Sequence, residues 1–109
     1  MNKTLYIVAT PIGNLDDISQ RAIDTLKRVN YVLAEDTNRT RILLDRFGIK
    51  TRMISLHKFN EYERLQKIKA LFEEYDEIAL VSDAGTPLIS DPGAITVSYA
   101  LDNQIRVVP

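Results

Sequence analysis

At 109 residues the chain has the length of one domain built on one hydrophobic core. Apolar residues make up 45% and charged residues 27%, which argues for a folded globular protein and against a disordered or fibrous one. Fourteen basic against fifteen acidic residues leave a net charge of −1, so no overall basic field marks a nucleic-acid or membrane partner, and the lack of cysteine removes disulfides, thiolate catalysis and cysteine-based zinc sites together.

The first apolar run, "TLYIVA" (residues 4–9), reads as a strand. It is too short for a signal-peptide core, and no later stretch approaches a membrane span, so a soluble cytoplasmic protein without a membrane partner is expected. "TPIGNLDD" (10–17) follows, where Pro11 and Gly13 shape a turn and Thr10 and Asn14 offer polar side chains. It contains neither G-x-G-x-x-G nor G-x-x-x-x-G-K-[ST], which disfavours a dinucleotide or nucleoside triphosphate held in those modes. Ile18, Ala22, Leu26 and Val29 then mark one face of a helix, with Ser19 as its N-cap and Ile18 placed to staple against Ile23.

"YVLAE" is a second strand, and "DTNRT" (36–40) follows it with Thr37 as the expected N-cap. Ile42, Leu43, Leu44 and Phe47 mark the apolar face of the second helix, ended by Gly48 in a left-handed cap. Between residues 39 and 52 stand Arg39, Arg41, Arg46, Lys50 and Arg52 against one acid, Asp45. This is a local positive patch that either contacts phosphates or forms a solvated helix face.

"MISL" is a third strand and leads into "HKFNE" (57–61), which holds the chain's one histidine, His57. A lone histidine without cysteines is a poor metal site, so none is expected, but it can exchange protons near neutral pH. Asn60 and Glu63 are spaced as a capping box for a third helix whose face carries Leu65, Ile68, Phe72 and Tyr75. "FEEYDE" (72–77) reads as its solvated end and a turn.

"EIALVS" is a fourth strand, residues 94–103 a fourth helix, and "IRVVP" a fifth strand. Before that fourth helix, "SDAGTPLISDPG" (82–93) concentrates two of the four glycines and two of the four prolines, more punctuation than a plain connection requires. Strands alternating with helices define an α/β fold with a mostly parallel sheet of about five strands flanked by helices. In such a sheet the strand ends that lead into helices share one edge, and ligands bind there. Residues 10–17, 36–40, 57–61 and 82–93 all fall on that edge.

The stretches "LYIVATPIGNLDDIS", "AEDT" followed by "RTRILL", "ISLHKFNE" and "VSDAGTPLISDPG" together resemble the N-terminal domain of the small-subunit ribosomal RNA cytidine 2′-O-methyltransferases. These belong to the tetrapyrrole methylase superfamily, the class III S-adenosylmethionine-dependent methyltransferases. The resemblance spans nearly the whole chain. It departs at Asn38, where the family usually carries arginine directly after "AEDT". It implies that residues 1–109 are the N-terminal α/β domain of a two-domain enzyme, inactive or weakly binding alone, with S-adenosylmethionine enclosed between this domain and a C-terminal one that this chain lacks. It places Pro11, Ile12 and Gly13, and Asp83, Ala84, Gly85, Thr86 and Pro87, at the cofactor. It further implies ribosomal RNA or the small ribosomal subunit as partner, and a homodimer.

On this reading Arg39 and Arg41, with His57, Asn60 and Glu61, face the RNA, and Asp36, His57 and Glu61 are the candidates for a base near the ribose hydroxyl. Methyl transfer from a sulfonium depends chiefly on in-line positioning and requires no metal. Two alternatives stand beside it. A small-molecule tetrapyrrole methylase would share the cofactor loops without needing the basic patch. A phosphoacceptor signalling domain would require Asp at the end of the third strand and Lys near the end of the fifth, where this chain has "SLH" and "VVP".

Overall fold

Alternation within each strand decides the architecture. In the computed structural model, which describes residues 2–11, 13–57, 59–82 and 93–109, β1 (Thr4–Ala9) sends Leu5 and Ile7 to one face and Val8 to the other. Strand β4 (Glu77–Ser82) divides Ile78 and Leu80 from Ala79 and Val81 in the same way, and β2 (Tyr31–Ala34) divides Leu33 from Val32 and Ala34. A strand that is apolar on both faces must be covered on both. Helices α1 (Gln20–Arg28) and α2 (Thr37–Arg46) supply Ile23, Leu26, Leu43 and Leu44 to one face, while α3 (Glu61–Glu74) and α4 (Ala94–Asp102) supply Ile68, Leu71, Phe72 and Ala100 to the other.

With β3 (Arg52–Ser55) and β5 (Arg106–Val108), the five strands form one sheet in the order β3-β2-β4-β1-β5, with every pairing parallel. The chain moves outward from β1 through β2 to β3 and then returns through β4 to β5. Crossovers of one hand running in opposite directions must place their helices on opposite faces, and this is the division observed. The reversal falls between the adjacent strands β1 and β4, in register from Thr4↔Glu77 to Ala9↔Ser82.

The helix ends follow local chemistry. Ser19 caps α1 by accepting the Ala22 N–H at 3.1 Å, as expected. Gly48, at φ +66°, closes α2 with the Gly48 N–H on the Asp45 carbonyl and the Ile49 N–H on the Leu44 carbonyl, a Schellman motif. Three expectations are corrected. The N-cap of α2 is Asp36, which accepts the Arg39 N–H at 3.0 Å, and Thr37 is already helical. Ile42 lies on the outer face of α2 at 60% exposure, because the adjacent Leu43 and Leu44 occupy the buried face. Asn60 occupies the N-cap position of α3 without capping it, since its side chain turns back to accept the His57 N–H at 2.8 Å.

Candidate functional site

All strands being parallel, residues after β1, β2, β3 and β4 emerge along one edge, as the sequence predicts. The segments after β1 and β4 are neighbours there. The Thr10 N–H donates to the Ser82 carbonyl at 3.1 Å, carrying the pairing one step beyond the strands, and the helices that follow the two strands, α1 and α4, pack on opposite faces. In open α/β sheets this point of reversal is where a crevice opens to bind a ligand.

The first loop is held from α2. Arg39 donates from Nη2 to the carbonyl of Pro11. Arg46 grips Asp16 through both carboxylate oxygens, each contact at 2.6 Å. This forked pair holds the Asp16 carboxyl below its ordinary range, chiefly through the hydrogen bond from Arg46. Between the two ties, a short 3-10 turn (Leu15–Asp17) starts at Asn14, whose side chain accepts the Asp16 N–H at 3.0 Å. Gly13 is exposed on the rim, and a Cβ built there meets nothing within 4 Å among the described residues.

The third loop folds on itself. His57 Nδ1 accepts the Phe59 N–H at 3.3 Å, so this nitrogen is engaged as an acceptor within the loop. Asn60 Nδ2 reaches Ser55 Oγ at 3.4 Å and Arg64 reaches the same oxygen at 3.1 Å. The Arg64 Nε is buried without a hydrogen-bond partner among the described residues.

Glu61 departs most from expectation. It is 3% exposed, and both of its oxygens accept hydrogen bonds from the start of α4, so its carboxylate is engaged inside the protein. Asn60 is likewise turned into its own loop. The five basic residues also fail to form one patch. Arg39 and Arg46 are drawn to the first loop, Arg41 lies 3.9 Å from Asp45, and Lys50 and Arg52 stand at the start of β3, on the opposite edge of the sheet. Spacing in the sequence placed them together, but helix α2 and the turn after it spread them along the strand direction.

Two exposed aromatics were not singled out by the sequence. Phe59 is 84% and Tyr62 79% exposed, on and just after the third loop, with the His57 ring 6.2 Å from that of Phe59. Their place after a strand end was the available signal. A separate cleft of about 200 Å³ lies between β1, α1 and the end of β5, lined by Tyr6, Val8, Ala22, Thr25 and Val108 among others. Of the residues the resemblance assigns to the cofactor, Ile12 and residues 83–87 lie outside the described residues. Among the described residues no group of three or more His, Cys, Asp or Glu could hold a metal, and no helix is long and apolar enough to cross a membrane.

A doubly covered parallel sheet, reversing between β1 and β4 with turn-rich loops at that rim, is the framework of a ligand-binding α/β domain. The family model for tetrapyrrole (corrin/porphyrin) methylases matches residues 4–109, and the chain belongs to that family. It is 52% identical over 105 residues to the ribosomal RNA small subunit methyltransferase I of Escherichia coli O157:H7, and 50% identical over 109 residues to the protein of that name from Mesorhizobium japonicum. These alignments cover 96% and 100% of this chain but only 37% of each relative, so the chain spans little more than a third of their length. Among solved structures, a conserved hypothetical protein from Aeropyrum pernix K1 matches the whole chain with a TM-score of 0.70 at 19% identity, covering 39% of that protein, a likeness of fold.

Proposed function

We propose that this domain forms one wall of the S-adenosylmethionine site of an enzyme that methylates the ribose 2′-hydroxyl of a cytidine in small-subunit ribosomal RNA. The observation that carries the reading is the reversal between β1 and β4, which puts the first loop beside the start of the fourth connection at the point where such sheets open. The loop positions fit the group. Gly13 adds no side chain to the rim, and the Arg39 contact fixes the Pro11 carbonyl before any ligand arrives, which lowers the ordering cost of binding.

In this assignment Pro11, Ile12 and Gly13, with Asp83, Ala84, Gly85, Thr86 and Pro87, hold the cofactor, and a further domain of the full-length protein closes over it. When bound, S-adenosylmethionine supplies a methyl group activated by its sulfonium. The chain's own task is to orient the donor and the ribose and to keep water out. With His57 Nδ1 engaged as an acceptor inside the loop, Nε2 is the ring nitrogen left to meet a phosphate or ribose oxygen, a role in substrate binding. Of the acid–base candidates Asp36 remains, exposed at the end of β2 with one oxygen engaged as the α2 cap. Arg41 meets phosphates, and the exposed rings of Phe59 and Tyr62 offer faces on which unstacked bases pack. RNA is preferred over a tetrapyrrole as substrate because the named relatives are ribosomal RNA methyltransferases at about half identity.

The test is Gly13→Leu in the full-length protein. Because Gly13 is exposed and a Cβ there meets nothing within 4 Å among the described residues, the melting temperature is expected to stay near that of wild type. Calorimetric affinity for S-adenosylhomocysteine falls by about tenfold or more as the side chain enters the ligand's space. Undiminished affinity would remove the first loop from the site.

A further inference from the structure

Glu61 is the first residue of α3, a position where an acidic side chain ordinarily stays in water and favours its own helix dipole. Here it is buried and serves a different helix. Its Oε1 accepts the Gly93 N–H at 3.0 Å, and its Oε2 accepts both the Thr96 N–H at 2.9 Å and the Thr96 hydroxyl at 3.1 Å. Thr96 itself is fully buried.

The reason lies in Gly93. It is the N-cap residue of α4, with φ at +104°, and a Cβ there would come within 2.5 Å of Leu80 Cδ2. Only glycine fits, and glycine has no side chain with which to cap. The first-turn N–H groups of α4 therefore need an acceptor from elsewhere. Glu61 supplies it from 32 residues away, with hydrogen bonds strengthened by the carboxylate's charge.

We propose that Glu61 is a positioning residue for the methyl-donor site. This rests on the function proposed above. The carboxylate holds Gly93, the N-cap residue of α4, just as the bond from Thr10 holds Ser82, the last residue of β4. It also joins that point to the first turn of α3, so the third loop and the foot of the fourth connection are held through one side chain.

The experiment uses Glu61→Gln in the full-length protein. Glutamine has the same shape but turns an N–H toward one of the three donors, so at least one bond is lost. The expected result is a rise of about tenfold in the Kd for S-adenosylhomocysteine and in the KM for S-adenosylmethionine. The KM for the small ribosomal subunit stays within about twofold, and a cooperative melt is retained. A folded variant with wild-type cofactor affinity, or with equal losses for both substrates, overturns the proposal. Should Glu61→Gln fail to fold, Thr96→Val decides. It removes only the hydroxyl donor, and a Kd raised by roughly threefold supports the proposal, while an unchanged Kd overturns it. Amide exchange at Gly93 and Thr96 reads the anchor separately. Faster exchange in Glu61→Gln, alongside a wild-type protein that binds no S-adenosylhomocysteine, would place the failure in the functional reading and not in the contact.

Discussion

Two arginines on α2 reach the first loop at different points, Arg39 at the Pro11 carbonyl and Arg46 at the Asp16 carboxylate. The second pair is open to solvent on both sides, so its value is in orientation more than in stability. Its pH dependence follows from the sign of the shift. The folded-state pKa of Asp16 is depressed, so the pairing contributes fully above the ordinary aspartate value of 3.8 and is lost as pH falls through the lower folded value. Carboxyl-carbon NMR titration should give Asp16 a midpoint below that of exposed aspartates, and Arg46→Ala should restore it; an ordinary midpoint in the wild type would remove the pair. Arg39 and Arg41 separate by the same logic of contacts. In the full-length protein Arg41→Ala should weaken RNA binding and reduce its salt slope by roughly one, leaving cofactor affinity unchanged. Arg39→Ala should lower both affinities, because it also releases Pro11. Parallel isotherms at several salt concentrations check this.

At the scale of elements, both α2 and α4 end in the same motif with different residues at its left-handed position. Gly48 does this in α2 without steric cost. In α4 the position is filled by Gln104 at φ +60°, while the Ile105 N–H closes on the Ala100 carbonyl at 2.9 Å and Ile105 is buried. A side chain in this conformation costs about 1 kcal/mol relative to glycine. Gln104→Gly should therefore raise stability by roughly 0.5–1 kcal/mol, and Gly48→Ala should lower it by about 1 kcal/mol, both measured by urea unfolding. An effect of the same sign for the two would contradict the assigned geometry.

At the scale of the whole molecule, the candidate site depends on contacts between distant parts of the chain. The first loop meets the end of β4 only because β4 inserts beside β1, and α4 is capped only because α3 delivers Glu61. The domain accounts for 37% of the length of the relatives named above. If a second domain completes the pocket, S-adenosylhomocysteine should bind the full-length protein at least about tenfold more tightly than residues 1–109 alone, since one wall leaves much of a ligand in water. Equal affinity by calorimetry would confine the site to this domain.

Much of this was legible in the chain itself. Short apolar runs punctuated by polar turns determine strands buried on both faces; Ser19 and Gly48 determine where helices begin and end, because such signals act over three or four residues. The strand order β3-β2-β4-β1-β5 was beyond local reading, since every order shows the same periodicity. So was the fate of charged groups. Glu61 looked like an edge residue until donors 32 and 35 residues further on were brought against it, and the basic run looked like a patch until α2 spread it along the sheet. A carboxylate can leave water only when enough donors meet it, and only the tertiary structure decides which donors those are.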